Sequence, residues 1–207
     1  MFLAQYLEYS YKYKLLVGNN LPIEFKREIW IIYKKLIASK IIRDYILGKI
    51  VRFLILTGCR KGEALQACWN QIDLKFGIWT VPMTKNGRPR RIFISSTCRD
   101  FLYKLIEFRS SFDLSSTDND PLFTNLNSGR PYKCIQTAWM YAKKSCGKEQ
   151  VRIHDLRHTF ASILINNGAT IYEVQRLLGH SSVNVTQRYA HLLPNKLCET
   201  ADLISRI

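Results

Sequence analysis

The sequence predicts a mainly helical domain carrying a small antiparallel β-sheet, an α+β fold. Three observations predict it. Ile46, Ile50, Phe53 and Leu54 recur at helical spacing. Two runs rich in β-branched and aromatic residues, 78–81 and 91–94, flank an Asn86-Gly87 turn. Four helical segments then crowd the chain beyond residue 131.

Taken in order, residues 1–20 are rich in tyrosine and end in Gly18-Asn19-Asn20, a turn signal. Pro22 stands just ahead of a helix expected over about 24–38. A buried helix is expected over about 43–56, ending near Thr57-Gly58 and delivering Arg60 at its C-terminal edge. The two strands follow, with Lys85 at their hairpin, where a long side chain can swing into a cleft. Thr97-Cys98-Arg99-Asp100 has the pattern of a helix cap, and the helix it opens should bury Phe101, Leu102, Leu105 and Ile106. From Ser110 to about Pro131 the composition turns to Ser, Asp, Asn and Gly, the composition of a surface loop. Helices are expected over about 131–145, 155–166, 171–178 and 183–190. Asn166-Asn167-Gly168 should end the second, and Thr170 with Glu173 should form a capping box for the third. A last apolar stripe, Leu197, Ala201, Ile204 and Ile207, has helical spacing, and packing on its own domain is one reading of it.

The chain has 207 residues, enough for one domain, with 47% hydrophobic and 23% charged residues. Thirty-one Lys and Arg against sixteen acids give a formal charge of +15. That excess attracts polyanions, nucleic acid first among them. The six cysteines include no C-x-x-C pair, so reduced thiols are expected rather than a disulfide framework or a zinc ribbon. The apolar start lacks the basic flank and cleavage site of a signal peptide. No run is apolar for the ~20 residues of a membrane span, and a cytoplasmic location is expected.

Two arginines, a lysine, two histidines and a tyrosine are the groups that carry chemistry: Arg60, Arg157, Lys85, His154, His180 and Tyr189. A phosphodiester repels nucleophiles, and its transition state gathers charge on the non-bridging oxygens. Guanidinium forks bind two such oxygens in one plane and stay charged. His154 and Arg157 open a helix three residues apart, so one turn presents imidazole and guanidinium together. His180 follows a glycine at a helix end, and Tyr189 lies one short helix further on. Ionising a phenol at neutral pH costs on the order of 4 kcal/mol, from a pKa near 10. Neighbouring cations lower that cost and a histidine can take the proton. Lys85 suits the return of a proton to the leaving oxygen. A phosphotyrosine ester would store the bond energy for rejoining, so neither metal nor triphosphate is needed.

Each signal is weak alone. Together, Thr57-Gly58-Cys59-Arg60-Lys61-Gly62-Glu63, Thr84-Lys85-Asn86-Gly87, His154-Asp155-Leu156-Arg157-His158-Thr159-Phe160, Leu177-Leu178-Gly179-His180 and Thr186-Gln187-Arg188-Tyr189 resemble the ordered motifs of tyrosine recombinases, the phage integrases and Xer-type enzymes, from about residue 40 onward. The resemblance implies a site-specific DNA recombinase acting through a 3′-phosphotyrosine. Tyr189 would be the nucleophile, Arg60 and Arg157 the phosphate clamp, and Lys85 the general acid for the 5′ hydroxyl. His154 would act as general acid/base, His180 as a further phosphate donor, and Glu63 as support for Arg60. It also implies double-stranded DNA as partner, a tetramer on DNA with the C-terminal tail docked on a neighbouring protomer, and accessory DNA-bending proteins. No cofactor is implied.

Only about forty residues, 1–40, precede the expected catalytic region 41–207, whereas most family members carry a sizeable core-binding domain there. A compact recombinase like the fimbrial invertases and a truncated integrase both fit. His154 and His158 have the spacing of a zinc-binding helix, but Asp155 replaces the glutamate of a metalloprotease and no third ligand is evident. A relaxing topoisomerase of the same chemistry and a DNA-binding regulator without cleavage are the competing functions.

Overall fold

Helix α1, Ile42–Thr57, carries only Lys49 and Arg52 as polar side chains between Ile46 and Leu56. A helix with so wide an apolar face packs deep in a protein, and Ile46, Leu47, Ile50, Val51, Phe53 and Leu54 are all buried. The computed structural model describes residues 42–82, 89–110, 119–125, 128–180, 182 and 184–190, with the helical residues 28–29, 31–33 and 35 ahead of them. Residues 27–160 form one compact unit, and residues from 161 onward belong to a second.

In the first unit α1 is followed by α2 (Lys61–Leu65), a single 3₁₀ turn and the three-stranded sheet. The strands are β1 (Ile72–Asp73), β2 (Ile78–Val81) and β3 (Arg90–Phe93), antiparallel in that order. Ile78 pairs with Phe93, Trp79 with Ile92 and Val81 with Arg90. Because partners across a ladder share a face, Trp79, Val81 and Ile92 all point into the core, and Arg90 shares their side. Strands β2 and β3 pair antiparallel as expected, β3 beginning one residue earlier than predicted, and the Asn86-Gly87 turn lies outside the described residues. Lys85 itself lies outside the described residues, as do the tyrosine-rich start and the C-terminal stripe.

Helix α3, Ser96–Ser110, buries Phe101, Leu102 and Leu105 as expected, while Ile106 is half-buried. Its start is capped by Ser95, whose Oγ accepts the Cys98 N–H at 3.2 Å, rather than by Thr97. The expected surface loop after Ser110 is a correction. Leu122 and Phe123 are buried, the Leu122 N–H bonds the Ala67 carbonyl at 2.7 Å, and β4 (Thr124–Asn125) pairs with β5 (Arg130–Pro131). Burying two such side chains is worth roughly 1.5–3 kcal/mol each, enough to pin a polar stretch to the core. The core itself centres on Phe53, whose ring lies 5.2 Å from Trp79, 6.4 Å from Phe101 and 5.5 Å from Phe123. Helix α4, Gln136–Lys144, begins later than expected; its Trp139 is fully buried and donates to the Val151 carbonyl at 3.1 Å.

Helix α5 runs Asp155–Asn166 and α6 runs Ile171–Leu178, both as predicted. Within the second unit Ala161, Ile165, Val174, Leu178 and Tyr189 are buried. Thr170 accepts the Glu173 N–H at 3.2 Å and Glu173 takes the Thr170 N–H at 2.7 Å, the reciprocal box the spacing called for. Helix α7 is shorter than expected, Asn184–Gln187, and gives way to a turn at Arg188 and Tyr189. Among the described residues no helix is long and apolar enough to cross a membrane.

Candidate active site

The site in the first unit grows from the end of α1. Gly58 follows Thr57 at φ +60°, and its N–H closes on the Leu54 carbonyl at 2.9 Å. A side chain here would be strained by the backbone alone, and a Cβ would stand 2.3 Å from the Phe160 ring. The sharp turn aims the Gly58 carbonyl at Arg157, whose Nη1 donates to it at 2.6 Å. Arg157 and Phe160 lie three apart on α5, so one helix face grips this turn twice.

Helix α1 ends at Thr57 as expected, and two residues beyond Gly58, Arg60 caps α2, a short helix that the sequence did not announce. Glu63, one turn into α2, accepts the Arg60 N–H at 2.7 Å and the Arg60 Nη1 at 3.0 Å. It also accepts Arg90 Nη2, from β3, at 2.7 Å. The Glu63 side chain is only 7% exposed and that of Arg60 33%, so the carboxylate is the buried hub and Arg60 the accessible arm. Burial opposes the charge on Glu63. The hydrogen bonds from Arg90 and from the Arg60 backbone and side chain outweigh it and hold the carboxyl below its ordinary range.

Arg157 is 4% exposed. Burial first, and then the charges of Arg60 and Arg90, push its guanidinium down to about 10, with Glu63 offsetting part of the effect. It stays protonated at pH 7, but as one of several cations crowded together, an arrangement that an anion would relieve.

His154 sits one turn before Arg157 at the head of α5, and Asp155 holds that turn by accepting the Arg152 N–H at 2.8 Å. The His154 ring is exposed on one side. Protein against its other side, and then the charge of Arg157, depress its pKa, so it is neutral at pH 7 and able to take a proton. His158 meets it edge to face, ring centres 5.0 Å apart. Among the described residues no group of three His, Cys, Asp or Glu could hold a metal ion. Cys59, between the two arginine-bearing turns, is buried and its thiol is pushed up to about 12, mainly by burial. It is therefore no rival nucleophile. An open cavity of about 360 Å³ borders Lys61, Arg152, His154 and Arg157.

In the second unit His180 is set by α6. Gly179 takes φ +65° at the helix end, and the His180 N–H returns to the Gln175 carbonyl at 3.1 Å. The imidazole Nδ1 is 2.9 Å from the Oγ1 of Thr186, which is fully buried on α7. This contact orients the imidazole against α7. Tyr189 closes the turn after α7, its N–H on the Thr186 carbonyl at 3.0 Å, and is 5% exposed.

Of the residues predicted from sequence, the structure thus gathers Arg60, Glu63, His154 and Arg157 in the first unit. It builds His180 and Tyr189 around Thr186 in the second. Sequence reasoning missed Arg90 and Thr186. The signal for Arg90 was present: strand alternation puts residue 90 on the inward face with Ile92, where a lone arginine needs a buried partner.

Residues 26–196 match the model of the phage integrase family. The chain is 34% identical over 167 residues to the integrase of Salmonella phage P22, covering 78% of this chain and 43% of that protein. It is 32% identical over 170 residues to tyrosine recombinase XerA of Saccharolobus solfataricus, covering 80% of this chain and 52% of the relative. The chain therefore spans about half the length of these relatives. Among solved structures, the catalytic domain of bacteriophage HP1 integrase matches with a TM-score of 0.62 and 28% identity, covering 84% of this chain and 89% of that one.

Proposed function

The chain belongs to the phage integrase family, and from that premise we propose that residues 41–207 are the catalytic part of a site-specific recombinase. It cuts and rejoins duplex DNA through a 3′-phosphotyrosine. The observation that carries this reading is the pair of arginines held in different ways around one turn. Arg157 is buried and tied to the Gly58 carbonyl; Arg60 is the exposed arm of the Glu63 hub. Such a pair suits a scissile phosphate whose charge grows in the transition state.

In this reading the Tyr189 oxygen attacks phosphorus and the phosphorus–O5′ bond breaks, leaving a 3′-phosphotyrosine and a 5′ hydroxyl. Lys85 gives the proton that the 5′ oxygen takes up. His154, neutral at pH 7, exchanges the phenol proton, and His180 donates to a non-bridging oxygen. One phosphodiester is exchanged for another, so rejoining needs no metal ion or ATP. The +15 charge supplies salt-sensitive affinity for DNA. Exchange between two duplexes would require a tetramer on DNA, aided by DNA-bending proteins, in the cytoplasm.

The test uses a pool of nicked duplexes made from the DNA flanking the gene. Wild type should yield a protein–DNA adduct that survives denaturation, and Tyr189→Phe should bind DNA equally well and yield none. Binding without any wild-type adduct would make the protein a regulator. Resealing of the original strands only, with no exchange in a two-duplex assay, would make it a topoisomerase.

A further inference from the structure

Arg90 has no part in the roles just given, yet it is built into the same hub. It opens β3, lies opposite Val81 on the inward face of the sheet, and its side chain is 12% exposed. Withdrawing a guanidinium from water is costly unless a charged partner meets it. The partner is Glu63, with Arg90 Nη2 on Oε2 at 2.7 Å. The same oxygen receives the Arg60 N–H at 2.7 Å, and the other oxygen receives Arg60 Nη1 at 3.0 Å. One buried carboxylate thus serves donors from the cap of α2 and from a strand 27 residues further along the chain.

A carboxylate shared with Arg60 alone would form a neutral pair. A second cation changes the balance. With Arg157 above the same turn, three guanidinium groups face one carboxylate, and a net positive charge is left for an incoming phosphodiester. We propose that Arg90 is a positioning residue for strand cleavage: by anchoring the Glu63 carboxylate from the strand side it secures the group that holds the Arg60 guanidinium in place for the scissile phosphate. This rests on the phosphate-clamp reading of Arg60 and names a residue that reading does not contain.

The same geometry carries a pH signature. The groups acting on Glu63 are Arg60 at the cap of α2, Arg90 on β3, Cys59 in the turn and Arg157 on α5. Burial works against the Glu63 charge and Arg90 is its strongest opponent. Without Arg90 the carboxyl protonates at a higher pH, loses its hold on Arg60, and cleavage should fail earlier on acidification. A merely structural role for Arg90 would lower activity by the same factor at every pH.

The experiment measures adduct formation by the full chain on a nicked duplex that wild type cleaves, from about pH 8 to about pH 5.5. Arg90→Gln should slow the cleavage step by about 10–100-fold, as loss of a supporting partner commonly does. DNA affinity should be nearly unchanged, and the acid limb should move to higher pH. Arg90→Lys should restore part of the rate. In a Glu63→Gln background, Arg90→Gln should add less than about twofold, the mark of residues acting through one another. Wild-type rate and pH profile in Arg90→Gln would overturn the inference alone, as would a pH-independent loss additive with Glu63→Gln. If Arg90→Gln fails to fold, Arg90→Lys decides: a wild-type rate and acid limb there would equally overturn it. A wild type without an adduct on any duplex would sink the recombinase reading and this inference together.

Discussion

The two halves of the candidate chemistry are held in contrasting ways. In residues 27–160 the proposed phosphate-binding groups are wired by contacts distant in sequence: Arg157 to Gly58 across 99 positions and Arg90 to Glu63 across 27. From residue 161 onward, the bonds that link His180 and Tyr189 to Gln175 and Thr186 span six positions or fewer. The difference teaches where each half is vulnerable. The clamp depends on the whole of its unit being folded. The framework of His180 and Tyr189 depends on helix ends, each worth about a kilocalorie.

The largest way to break the contrast is at the clamp. Arg157→Ala removes a buried cation and leaves the Gly58 carbonyl without it. Cleavage of nicked DNA should fall about 10³-fold, ~4 kcal/mol of transition-state stabilisation, while DNA affinity in a binding titration changes little. Equal losses in both would show a ground-state contact instead. Next comes Gly58→Ala, which meets both a positive φ and the Phe160 ring. It should destabilise by about 2–4 kcal/mol, read as a lower melting temperature, and weaken cleavage through Arg157 and Arg60 together. A Gly58→Ala protein as stable as wild type would mean that the turn is not the anchor of the clamp.

Local bonding also explains what the sequence made legible. Helix ends are written in neighbouring residues, so the Asn166–Gly168 stop, the Thr170–Glu173 box and the Gly179 reversal before His180 were all readable. The residue types proposed for catalysis stand out in their order too, because the motifs surrounding them are short. Contacts that depend on tertiary packing were not. Leu122 and Phe123 sit among polar neighbours just ahead of a strand of two residues, a stretch too short to show any period, and their fit against Phe53 and Ala67 draws them in. Arg90 looked like one more surface cation in a basic chain until the register placed it behind Glu63. Helix α2 went unread for a similar reason: it is only five residues long, and Arg60 caps it because Glu63 turns back to bond it.

A smaller effect sharpens the second half. Thr186→Val keeps the shape of a buried side chain but removes the oxygen beside His180 Nδ1. The ring loses the bond that fixes its orientation and tautomer, and cleavage should drop about 10-fold. Binding and the rate deficit of Arg157→Ala should be untouched, so the two substitutions should multiply. Strong non-additivity would mean that His180 and Arg157 act as one unit on the phosphate.

The smallest effect is the most diagnostic of the comparison. Thr170→Ala breaks one half of the capping box on α6 and removes the acceptor of the Glu173 N–H, for about 1 kcal/mol. Thr170 and Glu173 are exposed at this cap and touch none of the candidate catalytic groups. The loss should appear as faster hydrogen exchange in α6 and in the turn carrying His180, while amides of α1 and α2 keep wild-type protection. Cleavage should fall only by the fraction of molecules with α6 frayed, a factor near two or less for an opening of this size. Exchange that quickened equally around Gly58 and Arg60 would show that the clamp and the His180–Tyr189 framework unfold as one cooperative block, and the contrast between long-range and local wiring would carry no consequence for function.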